Sequence, residues 1–221
     1  VETVGTTSHR TSGGWPMRNG DAKNTKSTHN TSVPVRDVDI AWSETLPDGT
    51  VSAPVMDGDT LYVSWSEQTT DPNSAVIAFD AQTGTEQWRF TPESQESIPA
   101  APAIVDDRVV AVSGEYIYGI DAETGELDWK TEIYVYNSRA ISAPVIDNGT
   151  IYVKESGGTA SAFDFETGTK LWQASNLGSG TASPSVTNET VYTAGACRDP
   201  EIGFSFDCVT ELDATNGSHR W

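Results

Sequence analysis

Apolar residues in this chain come in short bursts separated by turn-forming residues. Val51 to Met56 is one burst, and Asp57-Gly58-Asp59 follows it as a turn, because Asp and Gly tolerate left-handed backbone. Leu61-Tyr62-Val63, β-branched and aromatic, predicts a second strand, and Val76-Ile77-Ala78-Phe79 a third. Thr83-Gly84 predicts a tight turn, and Glu86 to Thr91, with Trp88 inside it, a fourth strand. The scheme recurs three more times, with first turns at Asp106-Asp107, Asp147-Asn148-Gly149 and Thr187-Asn188-Glu189. No stretch sustains a period of 3.6 residues, so the chain is expected to be all-β with almost no helix.

Two refrains mark the units. Ser52-Ala53-Pro54-Val55, Ala100-Ala101-Pro102-Ala103, Ser142-Ala143-Pro144-Val145 and Ala182-Ser183-Pro184-Ser185 open them. Asp80…Gly84…Trp88, Asp121…Gly125…Trp129, Asp164…Gly168…Trp172 and Asp213…Gly217…Trp221 close them. The spacings between these Trp residues, 41, 43 and 49, are those of a propeller or a related array. Four antiparallel strands cannot bury both faces alone, but stacked blade against blade they can. The recurrent Trp is therefore read as structural, a flat wedge between sheets whose indole N–H finds a carbonyl.

The expected organisation is an N-terminal strap over residues 1–39 and propeller repeats over 40–221, divided at about 46–91, 92–132, 133–175 and 176–221. The strap is rich in Thr, Ser, Asn and Gly, with Trp15-Pro16-Met17 the part expected to dock on the body. Ile40-Ala41-Trp42-Ser43 reads as a fourth strand without its own first three, and Trp221 falls inside another fourth strand. Four blades in an open arc, with apolar faces at both ends, are the expectation.

Charge narrows the partners. The net charge is −19, with 32 acidic residues and only five Lys, and the pI is about 4.2. Nucleic acid and anionic membrane surfaces are excluded as partners by repulsion. No run of about 18 apolar residues suits a transmembrane helix. The acids are spread through the turns, with abundant Thr, and so resemble the surfaces of proteins from halophilic archaea. The chain opens at Val1 without an apolar leader, so a signal peptide is expected to have been removed, or the sequence to start within a longer gene. Cys197 and Cys208, close together in one hairpin of a chain read as exported, predict a disulfide. Asn30, Asn148, Asn188 and Asn216 each head an Asn-x-Thr/Ser triplet and are candidate glycosylation sites.

Ala78-Phe79-Asp80…Trp88 and Ala162-Phe163-Asp164…Trp172 carry in full a signature that resembles the repeat of quinoprotein-like (pyrroloquinoline-quinone-repeat) β-propellers. Gly119 departs from it in the second unit, and Glu211 and Asn216 in the fourth. The resemblance runs from about Ile40 to Trp221 and implies blades belonging to a seven- or eight-bladed ring. The family holds calcium- and quinone-dependent alcohol dehydrogenases as well as propellers without cofactor, such as the outer-membrane assembly lipoprotein. The dehydrogenases' disulfide between adjacent cysteines has no counterpart, because ten residues separate Cys197 from Cys208. His9, His29 and His219 have no metal-ligand spacing. There is no Gly-x-Ser-x-Gly elbow, and Gly178-Ser179-Gly180 is a loop without a following helix. The reading is a non-catalytic, exported binding or scaffolding module, extracellular or at the cell surface, with a protein or small-molecule ligand and no cofactor or metal. The alternative is a portion of a quinone-dependent dehydrogenase or other propeller enzyme whose site lies elsewhere.

Overall fold

The computed structural model describes residues 17, 39–67, 73–93, 97–133, 141–198 and 205–220. Among them there is no helix, and sixteen strands form four antiparallel sheets. The first sheet holds β1 (Thr50–Val51), β2 (Val55–Asp57), β3 (Thr60–Ser66), β4 (Ser74–Asp80) and β5 (Glu86–Phe90). The second holds β6 (Ala103–Val105), β7 (Arg108–Val112), β8 (Tyr116–Asp121) and β9 (Leu127–Glu132), and the third β10 (Val145–Asp147), β11 (Thr150–Glu155), β12 (Thr159–Asp164) and β13 (Lys170–Ala174). The fourth holds β14 (Ser185–Val186), β15 (Thr190–Arg198) and β16 (Ser205–Asp213), with a single further bridge between Leu212 and His219. Each sheet is an up-and-down meander, the topology of a propeller blade, and β2, β6, β10 and β14 neighbour one another in that order.

The first refrain splits a strand that the apolar pattern predicts as continuous from Val51 to Met56. Both β1 and β2 pair with β3, and Ser52-Ala53-Pro54 interrupts them. Pro54 has no N–H to give to a ladder. Ser52 Oγ instead accepts from the Ser64 N–H at 3.0 Å, and Ser142 Oγ does the same for Lys154 N–H at 3.0 Å.

Ile40–Ser43 is a second correction. Residues 39–49 form no strand. Trp42 nevertheless sits where the Trp of a preceding blade would be, its indole N–H donating to Ala81 O at 2.9 Å.

Blades meet through alternating strand faces. Val55, Tyr62, Val76, Ala78 and Trp88 of the first blade pack with Ile104, Val109, Ala111 and Ile120 of the second. A second cluster runs through blades two, three and four and takes in Met17, which is buried. Met17 is the described residue of the expected docking stretch; Trp15, Pro16 and Asn30 lie outside the described residues, as does Trp221.

Candidate functional site

The closing refrain is a socket for the Trp of the preceding blade. Asp80 Oδ1 accepts from the N–H groups of Gln82 and Thr83 at 3.0 and 2.7 Å and from the Thr83 hydroxyl at 2.8 Å. Asp121 does so with Glu123 and Thr124, and Asp164 with Thr167. The Thr83 and Thr124 N–H groups hold Asp80 and Asp121 below the usual carboxylate range. In the fourth blade, where Asn216 replaces Thr, Arg220 takes over and holds Asp213 low through a 2.7 Å ion pair.

The turn leads into Gly84, Gly125, Gly168 and Gly217, each with positive φ and each under a Trp ring, of Trp42, Trp88, Trp129 and Trp172 respectively. A methyl at Gly125 would lie 2.7 Å from the Trp88 ring. The indole N–H groups of Trp88 and Trp172 donate to Ala122 O and Ala214 O at 2.9 and 2.8 Å.

Trp129 breaks the pattern. Its Nε1 is buried without a partner. Phe165 stands where the other three sockets have Ala81, Ala122 and Ala214, and Arg108 Nη1 occupies the Phe165 carbonyl at 3.3 Å while its guanidinium lies over the Phe165 ring. The Trp129 ring presses onto the second blade's own strand, where a methyl on Gly119 would run into the indole. Gly119, a departure seen in the sequence, and Phe165, one seen only when the sockets are set side by side, thus meet at the same seam.

Chemistry of another kind sits at the opposite ends of the strands from these sockets. Lys154 and Glu155 close β11 and are 0 % and 3 % exposed. Consecutive strand residues point to opposite faces, so the two face different neighbouring blades. Lys154 faces blade four and donates from Nζ to Gly178 O at 2.9 Å and Gly180 O at 2.7 Å. Burial pulls its ammonium down from the ordinary value. Glu155 shares a face with Ile151 and Val153, its Oε1 has no partner, and burial pushes its carboxyl up to about 7, with Lys170 opposing. Ser161, also buried on that face, has an unpartnered Oγ.

Register comparison shows what the motif reading missed. Lys154 occupies the position of Ser64, Val112 and Ala194, and Glu155 that of Trp65, Ser113 and Gly195. The signal was a charged pair ending an otherwise apolar strand, legible only once the repeats are set in structural register.

Cys197 and Cys208 are bonded beside this site, Cα atoms 5.8 Å apart, as diagonal neighbours of β15 and β16. The disulfide packs on Gly178, the residue whose carbonyl holds Lys154. Ser179 and Ala196 exchange backbone hydrogen bonds at 2.9 and 2.8 Å. The 177–180 loop is therefore clamped by blade three on one side and by the stapled hairpin on the other. Next to it lies an open groove of about 510 Å³, lined by Gly180, Ala182, Ala194, Asp207, Cys208 and Val209. At the other end of the molecule an apolar groove of about 480 Å³ is lined by Trp42, Leu46, Val51, Leu61, Val63 and Phe79.

These side chains do not fit the quinone and calcium that the resemblance brings to mind. A quinone's carboxylates call for cations with donors to spare, whereas Lys154 is bound to two carbonyls within a blade seam. Among the described residues no three His, Cys, Asp or Glu side chains are grouped to hold a metal ion. Asn148, Asn188 and Asn216 are exposed in turns.

A family model described as outer membrane protein assembly factor BamB matches residues 35–133 and 72–221. Quinohemoprotein alcohol dehydrogenase ADH-IIG of Pseudomonas putida is 30 % identical over 156 residues, covering 61 % of this chain and 21 % of its own length. BamB of Burkholderia pseudomallei is 29 % identical over 149 residues (65 % and 35 %), and the serine/threonine-protein kinase AfsK of Streptomyces coelicolor 28 % over 184 (81 % and 20 %). Among solved structures, quinohemoprotein alcohol dehydrogenase from Comamonas testosteroni superposes with a TM-score of 0.78 at 19 % identity over 97 % of this chain and 41 % of that one. BamB from Moraxella catarrhalis gives 0.57 at 21 % identity over 83 % and 67 %. The chain thus spans about a third or less of the length of these curated relatives. Four blades joined by Trp-on-Gly sockets, together with a family match that extends from residue 35 to residue 221, place the chain in the PQQ-like-repeat propeller family whose model is described as outer membrane protein assembly factor BamB.

Proposed function

We propose that this chain is a non-catalytic, exported binding or scaffolding module that works through its two end faces. The observation that carries the reading is that these faces have the chemistry of a blade seam: among the described residues nothing covers that of the fourth blade, and only the segment with Trp42 and Leu46 lies on that of the first, leaving a groove open. Tyr192 is the register equivalent of Tyr62 and Tyr152, which are buried against the next blade; Tyr192 is 37 % exposed and Val209 beside it 55 %. At the other end the open groove is lined by Val51, 47 % exposed, and by Leu61, half-buried where its equivalent Val109 is fully buried; Val63 and Phe79 at its floor are themselves buried. Exposed apolar surface of this extent favours association with protein. The natural occupants are further blades of the same repeat, giving a seven- or eight-bladed ring with residues 1–39 as a strap; the burial of Met17 supports the strap. The assembly-factor relatives support a protein partner and a location outside the cytoplasm. The acid-rich, Lys-poor surface supports a high-salt environment of the halophilic archaeal kind.

Sedimentation tests the end faces. The chain is expected to self-associate with rising concentration, and Val209→Asp and Leu61→Asp are each expected to weaken that association. A wild-type chain that stays monomeric throughout would reject the proposal. A rival reading, favoured by the dehydrogenase relatives, makes the chain part of a quinone enzyme whose site lies outside these residues. A dye-linked dehydrogenase assay of the purified chain with pyrroloquinoline quinone and calcium is expected to show no turnover above blank; saturable, quinone-dependent turnover would overturn the non-catalytic reading.

A further inference from the structure

We infer that Asn216 is the acceptor for an N-linked glycan, and that Asn148 and Asn188, which carry the same triplet, are not. The inference rests on the exported reading above, and it comes from how each triplet is folded. An N-glycosylation triplet needs its Asn nitrogen and its Ser/Thr hydroxyl presented together to the transferase.

Asn148-Gly149-Thr150 and Asn188-Glu189-Thr190 both straddle the turn between the first two strands of a blade. Their hydroxyl residues are already in the sheet: Thr150 opens β11 and pairs with Asp147 and Asp164, and Thr190 opens β15 and pairs with Asp213. Thr190 is 6 % exposed, and its Oγ1 accepts from Arg220 Nη1 at 3.0 Å. The two Asn side chains also hold each other. Asn148 Nδ2, the atom a glycan would occupy, donates to Asp147 Oδ2 at 3.1 Å and to Asn188 Oδ1 at 3.4 Å. A sugar on Asn148 would replace one of the two N–H groups that make these bonds, and on Asn188 it would have to fit beside the same contact between blades three and four.

Asn216-Gly217-Ser218 lies wholly in an end turn. Asn216 and Ser218 are both exposed, and Gly217 between them is buried against Trp172. Asn216 Oδ1 accepts from the Ser218 N–H at 2.9 Å, the bond that the hydroxyls of Thr83 and Thr167 make at 3.3 Å in blades one and three. Among the described residues the turn uses only the oxygen of the amide and leaves its nitrogen to solvent. The equivalent turns show that Asn is not needed for this cap, since Thr serves it there.

The donor would be an oligosaccharide linked through phosphate to a polyisoprenoid lipid. Asn216 Nδ2 forms the bond to the anomeric carbon, the bond from that carbon to the phosphate oxygen breaks, the lipid phosphate leaves with the electron pair, and the amide gives up one proton. No oxidation or reduction takes place.

The full chain is fused to a supplied signal peptide and secreted from a glycosylating eukaryotic host, and glycopeptide mass mapping is then carried out on it. Because export is imposed, the outcome reports on the acceptor and not on where the natural protein resides. The expected result is a glycan on Asn216 that disappears in both Asn216→Gln and Ser218→Ala, with the Asn148 and Asn188 peptides bare. Ser218→Ala leaves Asn216 and the backbone N–H that caps it in place, so its effect separates loss of the triplet from loss of the turn. A bare Asn216, or occupancy of Asn148 or Asn188 equal to that of Asn216, overturns the inference.

Discussion

Gly58 and Gly125 share a left-handed backbone, with φ of 55° and 74°, but their neighbours differ. Nothing lies within 4 Å of where a Gly58 methyl would point, whereas a Gly125 methyl would enter the Trp88 ring. Gly58→Ala is therefore expected to cost about 1 kcal/mol, for backbone alone. Gly125→Ala is expected to cost about 3 kcal/mol or more, because overpacking adds to the strain. Urea denaturation of the two variants measures the difference; equal losses would mean that the Trp ring moves aside freely. Glu155 offers a second test. Its carboxyl titrates near 7 when folded against an ordinary 4.5, so between those values the native chain keeps a proton that the unfolded chain releases. Stability is thus full below about 4.5, falls as pH rises to about 7, and stays reduced above it. The loss is about 3 kcal/mol if the whole shift is realised. Glu155→Gln is expected to flatten this slope and to stabilise the chain at pH 8, as read from melts across that range. The turn function of Asp and Gly was legible in the sequence at this scale, but the ring over Gly125 and the burial of Glu155 were not, since both depend on a neighbouring blade.

Between elements, the seam of blades two and three joins residues 46 positions apart. Gly119 makes room for the Trp129 ring, and Phe165 stands on the far side of the same seam, its carbonyl taken by Arg108. Gly119→Ala alone drives a methyl into the indole and is expected to destabilise by about 2–3 kcal/mol. If the bulk of Phe165 is what holds the ring against the second blade's strand, the same substitution in a Phe165→Ala background is expected to cost at least about 1 kcal/mol less. A double-mutant cycle that is additive would break the proposed link. The hairpin of β15 and β16 has its own staple. Cys208→Ser opens a loop closed at a sequence separation of 11 and is expected to cost about 2–3 kcal/mol in the chain-entropy account. Hydrogen exchange is then expected to rise first at Ser179 and Ala196, the bridge beside the disulfide. The strand order and the cysteine pairing could be read from the hairpin pattern, whereas the clamp of the 177–180 loop by Lys154 could not.

The whole molecule carries a formal charge of −19, and like charges face each other across turns, as Asp57 and Asp106 do. Repulsion destabilises the compact state more than the extended one. At about 0.01 M salt the Debye length is roughly 30 Å and repulsion spans the domain, while at molar salt it falls to about 3 Å. The melting temperature is expected to rise markedly from 0.01 M to molar potassium chloride, and to rise much less in a variant with many surface acids changed to Asn or Gln. A melting temperature that ignores salt would remove both the charge argument and the high-salt assignment. The sequence by itself determined the number of repeats, most of their strands and turns, the Trp and Gly positions and the Cys pair, because these are written in local periodicity and turn chemistry; the split at Ser52-Ala53-Pro54 and the absence of a strand at Ile40–Ser43 were not. Only the tertiary structure decided which Trp caps which Gly, that Trp42 fills the first socket without being in a strand, that the Trp129 indole N–H goes without a partner, and that Lys154 and Glu155 are buried. Each of these depends on segments distant in the chain meeting, from 24 positions apart for Lys154 and Gly178 to some forty for a Trp and its Gly.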